Sequence, residues 1–453
     1  MNTIIIGCGN VGQKLAEKLS QEENQNITVV DLRYDLVQEL INRNDAMGVV
    51  GNGASVEILK ESGVETADIL IAVTGSDEVN LLICFLAKKI GNCQTIARVR
   101  NPEYSSGLPI FKDDLGLAMV INPELTAANE ISRILRFPSA IKIDTFDKGR
   151  IEMLKFKVSE DSVLDNMRVA DINQKLNTNI LVCGVERGDD AFIPGGNFVI
   201  QKGDFVSIIA APLNGSDFFK KIKVKTNRVK NTLIVGGGGI AYYLAEKLIH
   251  RGIEVKLIEK DPKRCEQLCQ LLPKATIINA DGTEKTVLME EGVDKMESFV
   301  ALTNIDEENI MLSLYARSKM NGGKTVTKIN RVFYDEVIAG MDLDTIIYPK
   351  EITAEYIVRF VRAKYNSLDA DIETMHLILD GKGEALEFSI KENSSIVNIP
   401  LEKLSLKENV LIACINRKGK VIIPRGQDVI CPGDTVIVVT THKGFKEFGD
   451  IID

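Results

Sequence analysis

Near the start of the chain, Gly7-Cys8-Gly9-Asn10-Val11-Gly12 has the spacing with which a strand-to-helix turn cradles a pyrophosphate. An apolar run leads into Gly7 and a helical pattern begins at Asn10, so the glycines stand in the context that gives the pattern meaning. Gly7 permits the tight turn, Gly9 lets backbone approach the phosphates, and Gly12 lets helix pack on strand. Free N–H groups at the helix start, those of Asn10 and Val11 among them, add positive potential. Asp31 follows Gly12 by nineteen residues at the end of the next apolar run, where a carboxylate accepts from ribose hydroxyls. Each such charge-assisted bond is worth roughly 1.5–3 kcal/mol. The same charge repels a 2′-phosphate, which favours NAD or an adenine nucleotide over NADP.

The arrangement occurs twice, because the chain matches itself at an offset of about 229 residues. TIIIGCGNVGQKLAEKLS from Thr3 answers TLIVGGGGIAYYLAEKLI from Thr232. In the second copy Gly236, Gly238 and Ala241 take the three glycine positions, Ile240 stands beside them, and Glu259 takes the carboxylate position. Gly239 adds a fourth glycine, so occupancy and ligand identity are open to differ at this loop. Other candidate contacts follow strand ends, where open α/β sheets bind ligands. Asn52-Gly53 and Asp281-Gly282 follow the third strand of each copy and are placed to face an adenine. Thr74-Gly75 and Thr303-Asn304 follow the fourth, and Arg98 and Lys328 lie near the end of the fifth, in reach of phosphate.

Catalytic equipment is sparse by comparison. Hydride transfer needs a proton donor or acceptor beside the nicotinamide. The 3 histidines, His250, His376 and His442, do not follow nucleotide-lobe strands in both copies. A Tyr-x-x-x-Lys match at Tyr243 and Lys247 falls inside the first helix after the glycine loop, the wrong place for catalysis. An NAD-dependent oxidoreductase with duplicated dinucleotide domains is therefore the weaker alternative to a nucleotide sensor without catalytic residues.

The elements that must position these residues alternate in each repeat. Residues 3–7, 27–31, 48–50, 69–73, 95–99 and 118–121 read as short apolar strands, with helices over Asn10–Ser20 and Glu78–Ile90. Parallel strands need such crossovers, so the expectation is a doubly wound sheet with helices on both faces. A helix opening near Pro123, and its copy Pro349–Arg362, leads to a second, β-rich lobe with little helix. The closing segments IPGGNFVIQKGDFVSII from Ile193 and IPRGQDVICPGDTVIVV from Ile423 repeat too. The fold class expected is α/β, two tandem Rossmann-like doubly wound parallel sheets, each followed by a small α+β lobe. The division is 1–138, 139–225, 231–365 and 366–453, with a Lys- and Asn-rich linker from Lys220 to Asn231.

Composition narrows the function classes. With 55 Lys and Arg against 64 Asp and Glu, the net charge of −9 opposes binding to a phosphate backbone, so a nucleic-acid partner is not expected. No apolar run reaches the roughly 18–20 residues of a membrane span, and the apolar start at Ile4 leaves no separate signal-peptide core. The reading is cytoplasmic. The 8 cysteines are too scattered for a disulfide framework, and Cys265 with Cys269 lacks a second pair to complete a zinc site.

Duplicated glycine loops, strand-end acids, Asn/Asp-Gly turns and β-rich tails together resemble the TrkA-type regulatory subunits of Trk potassium-uptake systems over essentially the whole length. The resemblance implies two nucleotide-binding regulator-of-potassium-conductance (RCK) domains, each with a C-terminal lobe. It implies a cytosolic ring, a homo-oligomer of four chains, peripheral at the inner face of the membrane under a potassium-translocating Trk subunit. NAD(H) and ATP or ADP would be its controlling ligands, held by Gly7, Gly9, Gly12, Asp31 and Arg98 and by Gly236, Gly238, Ala241 and Glu259. Another cation channel or antiporter as partner is the remaining variant of this reading.

Overall fold

The computed structural model describes the chain except residues 22–24, 102–103, 105–114, 137–141, 147–149, 223–228, 332–336, 339, 342, 368–371, 393–395, 446 and 453. Contacts divide it into two compact units, one made of Met1–Ser132 with Lys230–Val361 and the other of Arg133–Val229 with Arg362–Asp453.

The first unit holds both dinucleotide-type lobes. In the first lobe β1 (Asn2–Ile6), α1 (Asn10–Ser20), β2 (Asn26–Asp31), α2 (Tyr34–Arg43), β3 (Met47–Val50), α3 (Val56–Glu61), β4 (Ile69–Ala72), α4 (Asp77–Gly91), β5 (Gln94–Arg98) and β6 (Leu117–Ile121) follow one another, and α5 (Pro123–Arg136) begins directly after. The strands pair in parallel in the order β3-β2-β1-β4-β5-β6, so the order reverses between β1 and β4. Successive residues of β1 feed opposite faces, as strand geometry requires. Ile5 joins Leu15, Leu19 and Val29 on one side, while Ile4 and Ile6 join Leu70 and Ile83 on the other. β1 ends one residue earlier than its apolar run, because Gly7 turns out of the strand with φ +105°.

The second unit holds the two β-rich lobes. The first is built of β7 (Lys142–Phe146), β8 (Ile151–Lys157), α6 (Val169–Leu176), β9 (Leu181–Arg187), β10 (Asp190–Phe192), β11 (Phe205–Ala210) and α7 (Pro212–Lys221), with antiparallel order β10-β9-β11-β8-β7. The lobe is β-rich as expected, with α6 and α7 as its two helices. Pro212 starts α7, Lys220 and Lys221 close it, and Phe218 and Phe219 pack on Phe156 at 5.8 and 5.2 Å. The linker expected from Lys220 thus begins as helix, and its centre lies outside the described residues.

The second copy repeats the plan with β12 (Asn231–Val235), α8 (Gly239–His250), β13 (Glu254–Glu259), α9 (Pro262–Leu271), β14 (Thr276–Asn279), α10 (Lys285–Glu290), β15 (Ser298–Ala301), α11 (Asp306–Lys319), β16 (Lys324–Lys328), β17 (Thr345–Ile347) and α12 (Pro349–Ser367). Its sheet runs β14-β13-β12-β15-β16-β17. The closing lobe has β18 (Ile372–Ile378), β19 (Gly383–Ser389), β20 (Val410–Arg417), β21 (Lys420–Ile422) and β22 (Thr435–Thr440) in the order β18-β19-β22-β20-β21.

Two duplicated features fix these lobes. Within the first unit, the helices after the sheets cross to the other copy: Ala354, Ile357, Val358 and Val361 of α12 lie in the core of the first lobe, and Glu351 meets Lys14 at 2.7 Å. Within the second, Arg187 grips buried Asp204 through Nε and Nη2, both at 2.8 Å, and Arg417 grips Asp434 at 2.9 and 2.7 Å. Each aspartate also caps its own turn, accepting from the N–H of Gln201 or Cys431 at 2.8 Å. The repeated Gly-Asp of the closing segments is there for this contact.

Candidate functional site: paired glycine loops at the sheet switch points

The first glycine loop joins β1 to α1 at the point where strand order reverses, the place where open α/β sheets bind ligands. Gly7 needs its positive φ, and a Cβ there would lie 2.9 Å from the Thr74 backbone nitrogen. At Gly12 a Cβ would lie 1.9 Å from the Gly7 carbonyl oxygen, so helix and loop are in contact through the absent side chain. Above Gly9 the space is open: an added Cβ would meet nothing within 4 Å. The helix N-terminus is left uncapped by side chains and has no acid in its first turn. Its unpaired N–H groups, with Asn10 exposed and Val11 buried behind it, keep their full positive potential for an anion.

Asp31 is bound into this loop. Its Oδ2 accepts from the Cys8 N–H at 2.7 Å and its Oδ1 from the Arg33 N–H at 2.9 Å, leaving further lone pairs for hydroxyl donors. The Cys8 thiol beneath is fully buried and pushed up to about 12, by burial first and by the Asp31 charge second. It is a packing group and not a nucleophile.

The second loop reproduces the geometry. Gly236 has φ +97°, the space above Gly238 is open, and α8 likewise has neither a capping side chain nor an acid in its first turn. Ala241 is fully buried where the third glycine stood, and Ile240 is half-buried beside it. Glu259 Oε2 accepts from the Gly237 N–H at 2.6 Å and its Oε1 from the Asp261 N–H at 2.9 Å. The longer acid reaches the same bond as Asp31. Two things differ: a Cβ on Gly239 would lie 3.0 Å from Glu124 of α5, and Arg264 Nε donates to the Gly237 carbonyl at 2.8 Å.

The other strand-end residues divide into those facing open space and those tied into the frame. Thr74 and Thr303 are held by Asn80 and Asn309, whose side-chain oxygens accept from their N–H groups at 2.8 Å in both copies. The same asparagines donate to the carbonyls of Arg98 and Lys328, at 2.9 and 3.0 Å, locking the fourth strand's end to the fifth's. Gly75 and Asn304 beside them are exposed. Asn52 and Asp281 are exposed too, but their side-chain oxygens each accept from a backbone N–H two residues on, and Gly53 and Gly282 are buried against Ile6 and Val235. Arg98 and Lys328 turn back on the fourth strand, donating to the carbonyls of Thr74 and Leu302. Burial lowers the pKa of both, and Lys328 is almost fully enclosed.

Sequence reasoning missed the residues that join the lobes. The Tyr243 hydroxyl donates to the Arg100 carbonyl at 3.0 Å and accepts from Asn122 Nδ2 at 3.0 Å, which accounts for this tyrosine without catalysis. Asp77 accepts from the N–H groups of Arg100 and Asn101 at 2.8 Å, and Asp306 repeats this with Asn330 and Arg331 at 2.9 Å. A cavity of about 530 Å³ lies where the lobes meet, lined by Arg100, Asn101 and Glu124 from one and Gly239, Tyr242 and Arg264 from the other. The repeated Asp-Glu opening α4 and α11 was the available signal for Asp77 and Asp306, whereas nothing in the spacing marks Tyr243.

Against known proteins, the TrkA-N domain profile matches residues 3–123 and 232–349, and the TrkA-C domain profile matches 153–223 and 385–453. The Trk system potassium uptake protein TrkA homolog of Archaeoglobus fulgidus is 32% identical over 100% of both chains. Homolog 1 of Methanosarcina mazei is 31% identical over 99% of each. Among solved structures, the GsuK channel bound to NAD superposes with a TM-score of 0.64 at 16% identity, covering 98% of this chain and 77% of that one. GsuK bound to ADP gives 0.50 at 15% identity, covering 80% and 69%. At these identities the likeness is one of fold.

Proposed function

This chain belongs to the TrkA family of Trk-system potassium uptake proteins, and from that premise we propose that it is the nucleotide-sensing regulatory subunit of such a system. The lobes at 1–138 and 231–365 bind the controlling ligands, NAD(H) and ATP or ADP, and those at 139–225 and 366–453 complete each repeat. The subunit assembles as a homotetrameric ring, in the cytoplasm and peripheral to the membrane, on a potassium-translocating Trk partner. No chemistry is done on the ligand.

One observation carries the reading: both glycine loops are held by a strand-end carboxylate, Asp31 on Cys8 and Glu259 on Gly237. A loop tied to its strand by the chain's own side chains has less to order when it takes phosphates. The bound ligand is then held by the N–H groups from Gly9 to Gly12 and from Gly238 to Ala241, with the carboxylates accepting from ribose. Thr74, Gly75, Thr303 and Asn304 face it across the switch point. At the second loop Arg100 and Glu124 of the first lobe stand close enough to sense what is bound.

The energetics suit a ring. A ligand shifts a conformational equilibrium only by its differential affinity, typically about 1–3 kcal/mol per coupling. Driving a two-state assembly from 1:99 to 99:1 takes about 5.5 kcal/mol, which several equivalent sites supply together. The test is affinity purification of the tagged chain from detergent-solubilised native membranes, with binding of NADH and ATP measured on the purified chain. Recovery of a multi-pass potassium transporter together with nucleotide binding supports the proposal. Recovery of no membrane protein, with mild-detergent controls intact, removes it.

A further inference from the structure

The second unit contains a contact that the duplication makes unusual. Its two five-stranded sheets share one apolar cluster, in which Phe146, Met153 and Ile209 of the first lobe meet Ile378, Ala385 and Val439 of the second. These are matching positions. Phe146 opposite Ile151 closes the β7–β8 hairpin as Ile378 opposite Gly383 closes β18–β19, and Ile209 and Val439 lie at the same place on β11 and β22. The lobes therefore pair as two copies do about a two-fold axis, each using the same face.

Asp144 and His376 also occupy one and the same hairpin position. Asp144 faces Met153 two residues before its closing pair, and His376 faces Ala385 two residues before its own. The two meet: His376 Nδ1 lies 3.0 Å from Asp144 Oδ1, each residue is 6% exposed, and the imidazole rests on Phe146 with ring centroids 4.4 Å apart. A position that contacts its own counterpart across a two-fold would, between identical lobes, set like on like. Two enclosed carboxylates cannot both stay ionised, and two imidazolium groups repel in the same way. Here the position has diverged into complementary partners.

We infer that the Asp144–His376 contact is a selectivity device that fits the face of each second lobe to the other lobe of its own chain and unfits it for its like. A buried polar pair adds little net stability over apolar packing, and its best-supported use is to specify which partner and register are adopted. Specificity is a difference between the right pairing and the wrong one, and like-on-like contact raises the cost of the wrong one. In a multi-copy assembly this keeps first lobes from pairing with first lobes and second with second. The inference does not depend on nucleotide binding.

The test uses the full chain and its thermal unfolding midpoint. His376→Asp and Asp144→His create like pairs, while His376→Gln and Asp144→Asn only weaken the bond. The like-pair variants are expected to lose about 3 °C or more and to fall below their neutral counterparts. The exchange Asp144→His with His376→Asp is expected to recover most of that loss. If an exchanged or like-pair chain fails to fold, the neutral cycle decides, with the double Asp144→Asn, His376→Gln variant expected to lose less than its two singles together. Equal losses for like-pair and neutral variants, no recovery in the exchange, or strict additivity in the neutral cycle would overturn the inference.

Discussion

Asp31 accepts the Cys8 N–H at 2.7 Å, a bond that spans a strand, a turn and a helix and fixes the first glycine loop to the acid at the end of β2. Glu259 makes the same bond to Gly237 with one more methylene in its side chain. Loop shape and acid position are thus a single unit in both copies, and changing either disturbs both.

Gly12→Ala tests that unit from the glycine side. Its Cβ would sit 1.9 Å from the Gly7 carbonyl oxygen, so α1 must move off the loop. The expected cost is roughly 1–3 kcal/mol of stability, with loss of nucleotide binding at the first loop and retention at the second. Denaturation curves and titration of each nucleotide read both effects, and unchanged stability and binding would mean that α1 accommodates the methyl as α8 accommodates Ala241.

Tyr243→Phe removes the hydroxyl shared between Asn122 and the Arg100 carbonyl while leaving the ring in place. Asn122 still reaches the same carbonyl at 3.1 Å, so the expected loss is only about 1 kcal/mol. A thermal shift of a few degrees at most is predicted, and a collapse of the fold would mean the tyrosine does more than bridge.

Asp204→Asn and Asp434→Asn break equivalent arginine grips in the second unit. Losing one partner of a fully buried pair costs roughly 3–5 kcal/mol, and these arginines are 35% and 36% exposed, which lowers the expectation to about 2–3 kcal/mol. Urea unfolding of each variant should give similar losses, since the turns they cap are copies. A loss confined to one would show that the lobes are not equivalent in stability.

Cys8 should be silent to alkylation. Its thiol, pushed up to about 12, stays protonated through neutral and mildly alkaline pH, and it is fully buried. Iodoacetamide at pH 7.5 to pH 9 is expected to label exposed Cys269 and to spare Cys8 until the chain unfolds. Mass spectrometry of the labelled peptides reads this, and early Cys8 labelling would mean that the loop opens.

The repeat, the glycine turns and both strand-end acids were legible because they are local: each is set by a few residues whose order and spacing recur. Strand limits were legible to within about a residue, with Gly7 leaving β1 early because its positive φ breaks the strand. The helices α6 and α7 were not, since strand-like alternation dominates that region and their stability comes from packing Ile172, Phe218 and Phe219 into the lobe. Tyr243 with Asn122, and Asp144 with His376, are contacts between residues 121 and 232 positions apart. Their side chains have no sequence neighbours that announce them. Arg98 and Lys328 were rightly placed at strand ends, but direction is decided by tertiary contact, and both heads turn onto backbone carbonyls.

In the proposed function, nucleotide bound at these loops controls potassium movement through a membrane partner. The most direct test is potassium uptake into proteoliposomes that hold the cognate translocating subunit, with and without this chain, across concentrations of NADH, ATP and ADP. Flux is expected to respond to nucleotide only when the chain is present, and a chain carrying Asp31→Arg and Glu259→Arg is expected to lose the response while still binding the partner. Flux indifferent to nucleotide with the native chain bound, or an undiminished response in the doubly substituted chain, would contradict it.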